Sequence, residues 1–560
     1  MKFNKALYVI AGVATLSLSS CIEETFPESS TATKEQVGAS ATALMSSVKG
    51  IPSQMAQGYL VYGSQTHETD MAFPAYMIAQ TELLGDMYPE GANSGYDWYR
   101  TYNTMSSAMG DKSYFAYLPW FTFYKFIKSA NDVISTVDIT DPNVSSEVKG
   151  LAGIGYAARA FNYYMLTVLF TPVENPYTDC GRELTSDLIS QTYGRTVKLS
   201  ELTVPKVTES TDRESAKKNP RLLKSEMKEF ILSDLDKAAE CLANYEPSTK
   251  TLPNLAVVYG IRAKVCLWFE DYAEALKYAD LAISTSGASP VTEAQWDDPQ
   301  SGFCVANQAW MWYFHYDAEN MGNLCNFTGW MSGEADWGYS SLTCPAIDKS
   351  LYDKMGANDI RRRTFLDPDR SVYDYKTCRD KAWLDEMPDY LALKFRCKSG
   401  NYTDYATGGA VDVPVMRVEE MMYIKAEAMA MSSGNIGEAT NYLESFIKQY
   451  RDPDYKCKAT STREFQLEVL TQMRLEFWGE GNAFPSAKRI KPGVMQNYEG
   501  TNAPANIFKI NCKDIKPNWN LVIPEYETEA NQILQVSNNP DPTQAVVGPS
   551  TVGEYAPGKY

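Results

Sequence analysis

Hydrophobic and polar positions alternate most legibly between Asn254 and Gly287, where apolar residues recur at helical spacing in two stripes. Tyr259, Ala263, Cys266 and Leu267 form the first stripe; Ala275, Leu276, Ala279, Ala282 and Ile283 form the second. Glu270-Asp271-Tyr272 lies between them, a polar break suited to a tight antiparallel turn. Small residues at Ala263, Ala275, Ala279 and Ala282 allow close axial approach, and Tyr259 and Tyr278 fill the flanks. This is the pattern of a tetratricopeptide-type helix pair, with Arg262 standing where the first helix usually carries an apolar residue.

A single pair cannot bury both its faces, so the pattern implies neighbours. Met421–Tyr450 reads as a second pair, broken at Ser432–Asn435. Lys149–Phe170 reads as a strongly apolar helix preceded by a partner at Trp120–Val137, and Ser225–Leu242 as a helix packed ahead of the first pair. The fold class expected is mostly α: a tetratricopeptide-like scaffold of helix pairs with long irregular loop insertions and a few short strands. Gln308–Tyr316 is one such strand, with Trp310, Trp312, Phe314 and Tyr316 on a core face and His315 opposite, without an evident partner.

The amino terminus carries a different pattern. Lys2 and Lys5 precede an apolar run from Ala6 to Leu18, and Leu18-Ser19-Ser20-Cys21 follows. That resembles a lipobox, implying cleavage after Ser20 and acylation of Cys21. The domain reading is therefore residues 1–20 as lipoprotein signal peptide, 21–40 as lipidated flexible tether and 41–560 as one α-helical domain. Acidic Glu23 and Glu24 beside the cysteine resemble the surface-export tag of some Gram-negative lipoproteins. Acyl chains give a durable membrane anchor at about 0.8 kcal/mol per buried CH₂. No later stretch is long and apolar enough to span a bilayer.

Composition narrows the chemistry. The formal charge of −18 becomes −20 once Lys2 and Lys5 are removed, which argues against nucleic acid and anionic surfaces as partners. With two histidines and no CxxC spacing among 11 cysteines, a zinc site or a histidine-based triad is disfavoured, and no metal or cofactor is expected. Asp367-Pro368-Asp369 and Asp452-Pro453-Asp454 lack calcium-loop spacing and read as Asx/Pro turns. Cys266, on a core stripe, reads as a buried thiol.

Several blocks jointly resemble SusD/RagB-like surface lipoproteins: YKFIKSANDVI at Tyr124–Ile134, Val148–Phe170, the Asn254–Gly287 pair, RVEEMMYIKAEA at Arg417–Ala428, MRLEFWGEGNAFPSAKR at Met473–Arg489 and IPEYETE at Ile523–Glu529. Phe484-Pro485-Ser486 departs from the family's usual run before Lys488-Arg489. The resemblance implies a non-catalytic protein that captures an oligosaccharide at the cell surface and delivers it to a SusC-like TonB-dependent outer-membrane transporter. The charged residues Arg417, Glu420, Arg474, Glu476 and Glu480 read as structural ion pairs on helix faces.

Sugars stack on aromatic rings through their C–H faces and need amides, carboxylates or guanidinium groups for their hydroxyls. Two loops meet that description. In NSGYDWYR, Trp98 and Tyr99 adjoin Asp97 and Arg100. Between Asp317 and Cys344, Trp330, Trp337 and Tyr339 lie among asparagines, Glu334, Asp336, glycines and serines. These residues are the expected ligand site, with Trp98, Trp330 and Trp337 forming a shallow exposed stacking platform. The competing function is a surface lipoprotein glycoside hydrolase using a pair drawn from the 70 acidic residues.

Overall fold

The computed structural model describes residues 37–38, 40–57, 60–62, 65–67, 72–90, 98–370 and 376–560. Residues 1–20, read as a signal peptide, Cys21 and Asp97 lie outside them. The long helices are α1 (Ala41–Ala56), α2 (Phe73–Leu84), α3 (Tyr114–Ile134), α4 (Ser146–Phe170), α5 (Lys224–Leu242), α6 (Leu255–Trp268), α7 (Tyr272–Ser286), α8 (Val418–Ser433), α9 (Gly437–Tyr450), α10 (Thr462–Glu476) and α11 (Phe484–Ile490). Packing runs largely from neighbour to neighbour: α3 on α4, α4 on α5, α6 on α7, α7 on α8, and α8 on both α9 and α10. The fold class is therefore the mostly helical, paired architecture anticipated from the apolar periodicity.

Local chemistry explains where these helices start. The side chains of Ser113, Ser145 and Asn254 accept hydrogen bonds from the N–H groups of Ala116, Val148 and Val257, satisfying donors that the first turn leaves unpaired. α3 begins six residues before the expected Trp120, because Ser113 supplies that cap and Pro119 is tolerated inside the helix. At the α6–α7 turn, Asp271 caps α7 through Glu274 N–H, and Gly287 ends α7 in the left-handed region.

Ala263, Ala275, Ala279 and Ala282 are fully buried where α6 and α7 cross, with Tyr259 and Tyr278 packed at 5.8 Å on the flank. Arg262 has a partner in α5: it pairs with Asp236 and lies 4.4 Å from the Tyr278 ring centre. A charged residue is accommodated in an otherwise apolar repeat because its stem packs on an aromatic face while its head reaches a carboxylate. Cys266 is buried on the same helix, as its stripe implied.

The strands among the described residues form two-stranded sheets. β1 (Met87–Glu90) pairs antiparallel with β3 (Cys344–Ile347), and β2 (Trp310–His315) pairs antiparallel with β4 (Asp412–Arg417). On β2 the core face holds: Trp310, Trp312, Phe314 and the following Tyr316 are buried. His315 does have a partner, since its Nδ1 lies 2.7 Å from Asp412 Oδ1 across the ladder. Only the pairing of β2 with β4 brings that carboxylate opposite it. One contiguous set of buried apolar side chains extends from Leu44 to Val547.

Candidate functional site

The two loops expected to bind ligand come together through β1 and β3. β1 follows α2 and leads to Trp98; β3 follows the loop that holds Trp330, Trp337 and Tyr339. Tyr99 meets the Trp330 indole edge-on at 4.8 Å, and Tyr339 stacks on it at 4.3 Å with 25° between the planes. A three-ring stack, Tyr99–Trp330–Tyr339, therefore joins the two segments.

Its exposure differs from expectation. Trp330 is 5% exposed and Tyr99 fully buried, while Trp337 is 7% exposed in a separate small cluster with Ala335, Cys397 and Tyr402. The shallow platform of Trp98, Trp330 and Trp337 is thus corrected: both loop tryptophans are interior. Glycines within the loop, and Gly408 from a distant segment, serve close packing. A Cβ on Gly408 would lie 2.5 Å from Cη2 of Trp337, and one on Gly338, which has φ +73°, would lie 2.6 Å from the Gly329 carbonyl oxygen. Trp98 is half-buried, its ring 5.1 Å from Tyr114 and 5.0 Å from Phe115 at the start of α3.

The half-exposed members are Trp98, Arg100 and Tyr339. Within and beside this loop lie groups that the sequence pattern did not single out. Leu324 and Leu342 are 47% and 50% exposed, and Tyr405 is 42% exposed. Tyr405 sits next to the loop because its carbonyl accepts a hydrogen bond from Asn326 Nδ2. Arg379 stacks at 4.3 Å on Tyr402 and pairs with the exposed Asp336 at 3.1 Å. The run Asn401–Gly409 (NYTDYATGG) has the same mixture of tyrosines, amides and glycines that singled out the other two loops, so the signal was present.

The acidic residues divide sharply. Glu334, expected in the binding loop, is fully buried: its carboxylate accepts from Arg396 at 3.0 Å and from the Cys378 N–H at 2.9 Å. Glu476 and Glu480 form ion pairs, as their spacing suggested, but in the interior rather than on a helix face. Arg451 donates to both oxygens of Glu476 at 2.7 and 2.8 Å and to Glu419 at 3.0 Å. Arg417 donates to Glu476 at 3.0 Å and grips both oxygens of Glu480 at 2.9 and 3.0 Å. Lys394 reaches Glu480 at 2.6 Å and the carbonyls of Glu476 and Trp478. Burial by itself would raise the Glu476 carboxyl, but Arg451, Arg417 and Arg361 outweigh it and hold the group well below the usual carboxylate range. Burial pushes Lys394 down to about 8, against the pull of Glu480. These carboxylates are committed to guanidinium and ammonium partners inside the protein, which makes them fasteners rather than acid–base groups.

Fold and site together define a class: a helix-hairpin scaffold whose inserted loops gather aromatic rings beside amide, carboxylate and guanidinium groups. A family model described as starch-binding, associating with outer membrane, matches residues 67–267, and the SusD family model matches residues 366–541. The chain belongs to the SusD/RagB family. Solved structures share its fold at low identity. A SusD-like carbohydrate-binding protein from Bacteroides vulgatus aligns with TM-score 0.68 and 19% identity over 89% of this chain and 98% of its own. A SusD superfamily protein from Bacteroides thetaiotaomicron aligns with TM-score 0.63 and 19% identity, over 88% and 98%. A surface glycan-binding protein A from the same species, in complex with laminarihexaose, aligns with TM-score 0.60 and 15% identity, over 89% and 99%. No curated protein matches the chain.

Proposed function

We propose that the protein is a glycan-binding lipoprotein of the outer membrane that captures an oligosaccharide and passes it to a SusC-like TonB-dependent transporter. The observation that carries the binding site is the ring stack joining two loops distant in sequence, capped by the half-exposed Tyr339 and flanked by Trp98 and Arg100. A sugar ring lies on the outer face of Tyr339, and Arg100 and Asp336 serve its hydroxyls. Tyr99, Trp330 and Trp337 act from beneath, by holding the Tyr339 loop rigid, so the ligand loses little affinity to loop ordering.

Family membership supports carbohydrate as the ligand class, as does the laminarihexaose bound to a protein of the same fold. Membrane attachment rests on the lipobox at Cys21, and no described helix is long and apolar enough to cross a bilayer. Binding, rather than hydrolysis, fits carboxylates as firmly paired as Glu334, Glu476 and Glu480. Incubation of the mature chain with laminarihexaose and maltohexaose tests the reading. Saturable binding without new reducing ends is the expected result; release of reducing ends would establish the hydrolase instead. Recovery of a large barrel protein alongside the chain from native membranes in mild detergent tests the partnership.

A further inference from the structure

Two turns beyond the rings that hold Trp98, the same helix meets a second concave surface. A cleft of about 320 Å³ opens beside α3, walled by Trp120, Phe121 and Tyr124 and closed by Pro205, Asn219 and Glu527. That volume lies at the lower end of the range for small-molecule sites, about 300–1,000 Å³. Its mouth carries Phe121, which is 39% exposed. Tyr117 stacks on Phe121 at 5.2 Å with 18° between the planes, an i,i+4 pair, and meets Tyr526 edge-on at 5.9 Å.

Polar groups converge at the bottom. Glu527 sits half-buried in the cleft, where burial pushes its carboxyl up against a hydrogen bond from the Trp120 indole. Asn219 donates its amide N–H to the Lys206 carbonyl at 2.6 Å, leaving its oxygen as an acceptor. Lys125 is exposed at the rim. A flat apolar wall with acceptors at its foot and a donor at its edge complements a pyranose ring, which has an apolar C–H face and a belt of hydroxyls. A protein partner would be served better by a flat, dry patch than by a concave one with a carboxyl floor.

Position strengthens this. Tyr114, Tyr117 and Phe121 fall at i, i+3 and i+7, one face of α3, and Trp98 packs on Tyr114 at the first of these. Seven residues of helix rise by about 10 Å, so Phe121 lies about that far along the axis from the ring supporting Trp98.

We propose that the cleft between α3 and the Glu525–Ala530 helix is a second carbohydrate subsite, in which a sugar ring stacks on Phe121, a hydroxyl donates to Glu527 and Lys125 donates to another at the rim. The inference rests on carbohydrate as the ligand class, but not on the location of the Tyr339 site. Phe121→Ala and Lys125→Ala, singly and combined, are tested in the mature chain against laminarihexaose and maltohexaose by calorimetry, with melting temperature as control. Both side chains are exposed, so the fold should survive. The expected result is a loss of about tenfold in affinity, or of one binding event, in the double variant at an unchanged melting temperature. Glu527→Gln, which keeps the shape, should weaken binding less. If the double variant binds as the unaltered chain does while Tyr339→Ala loses affinity, the second subsite is overturned and the proposed function stands. Loss in the double variant with none in Tyr339→Ala supports this subsite and displaces the first. If the unaltered chain binds neither hexaose, both readings fall. A double variant that binds sugar normally but no longer recovers the barrel partner would identify the surface as a protein-docking face and overturn the inference.

Discussion

The α6–α7 hairpin and the loop from Asp317 to Cys344 are both built from aromatic residues interspersed with small ones, yet the two patterns mean different things. In the hairpin, small residues recur at helical spacing, and each alanine is buried against a neighbour within the same few turns. In the loop they follow no period. Gly329, Gly338 and the distant Gly408 make room for Trp330 and Trp337, whose surroundings come from Tyr99, Tyr402 and Cys397. Small residues near a tryptophan do not by themselves indicate an open binding surface. They equally well permit the ring to be packed against backbone.

The comparison sharpens into measurements, the largest first. Arg451→Met should cost the most. It removes the guanidinium that grips both oxygens of buried Glu476 and one of the two that pair with Glu419, and losing one side of a buried pair typically costs about 3–5 kcal/mol. Urea unfolding should show a large fall in midpoint, and a midpoint close to that of the unaltered chain would mean that water or Arg417 replaces the lost charge.

Next come the loop tryptophans. Because Trp330 and Trp337 are interior, Trp330→Ala should lose about 3 kcal/mol of stability, comparable with Trp310→Ala in the core strand. A melting temperature near that of the unaltered chain would restore the exposed platform.

Acid should destabilise the scaffold through Glu476. Glu476 has a folded-state pKa well below its ordinary 4.5, so its contribution is complete above that value. As pH falls below about 4.5 the unfolded chain takes up the proton first, and stability declines towards the folded pKa. Glu476→Gln should flatten that part of the pH–stability profile, which calorimetric melting from pH 6 to pH 3 would reveal.

Tyr339→Ala should separate binding from folding. Tyr339 is half-buried at the end of its stack, so stability should change little, while laminarihexaose affinity falls about 30-fold, or roughly 2 kcal/mol. The smallest effect belongs to Arg262→Leu. Its Asp236 partner is mostly exposed, so replacing the pair with the apolar residue usual at this repeat position should shift stability by less than about 1 kcal/mol in either direction.

Much of the scaffold was legible before any coordinates. The start of α4, α5 and α7 and the ends of α4, α5 and α9 fall within three residues of the boundaries read from periodicity, because a helix repeats its environment every 3.6 residues and its caps are local. Phe484-Pro485-Ser486, the departure from the family pattern, still forms the start of α11, with Phe484 packed on Trp519 at 5.5 Å. The site was half legible: composition pointed to both loops and named Tyr99, Trp330 and Tyr339, whose rings do meet. It missed Tyr405 and Arg379 and counted Glu334 among the binding-loop groups; it did read Glu476 as an ion-pair partner, but on a helix face rather than in the interior.

What the sequence determined by itself was therefore the helical hairpins, the core stripe of β2 and the kinds of residue gathered in the loops, since each depends on spacing over a few turns. Exposure, partnership and charge state were decided only by the tertiary structure. Which face of Trp330 is covered depends on the β1–β3 pairing that brings Tyr99 to it. Whether Glu476 is solvated depends on Arg361, Arg417 and Arg451 arriving from three separate segments. Desolvation and Coulomb attraction act through space rather than along the chain, so no local pattern carries them.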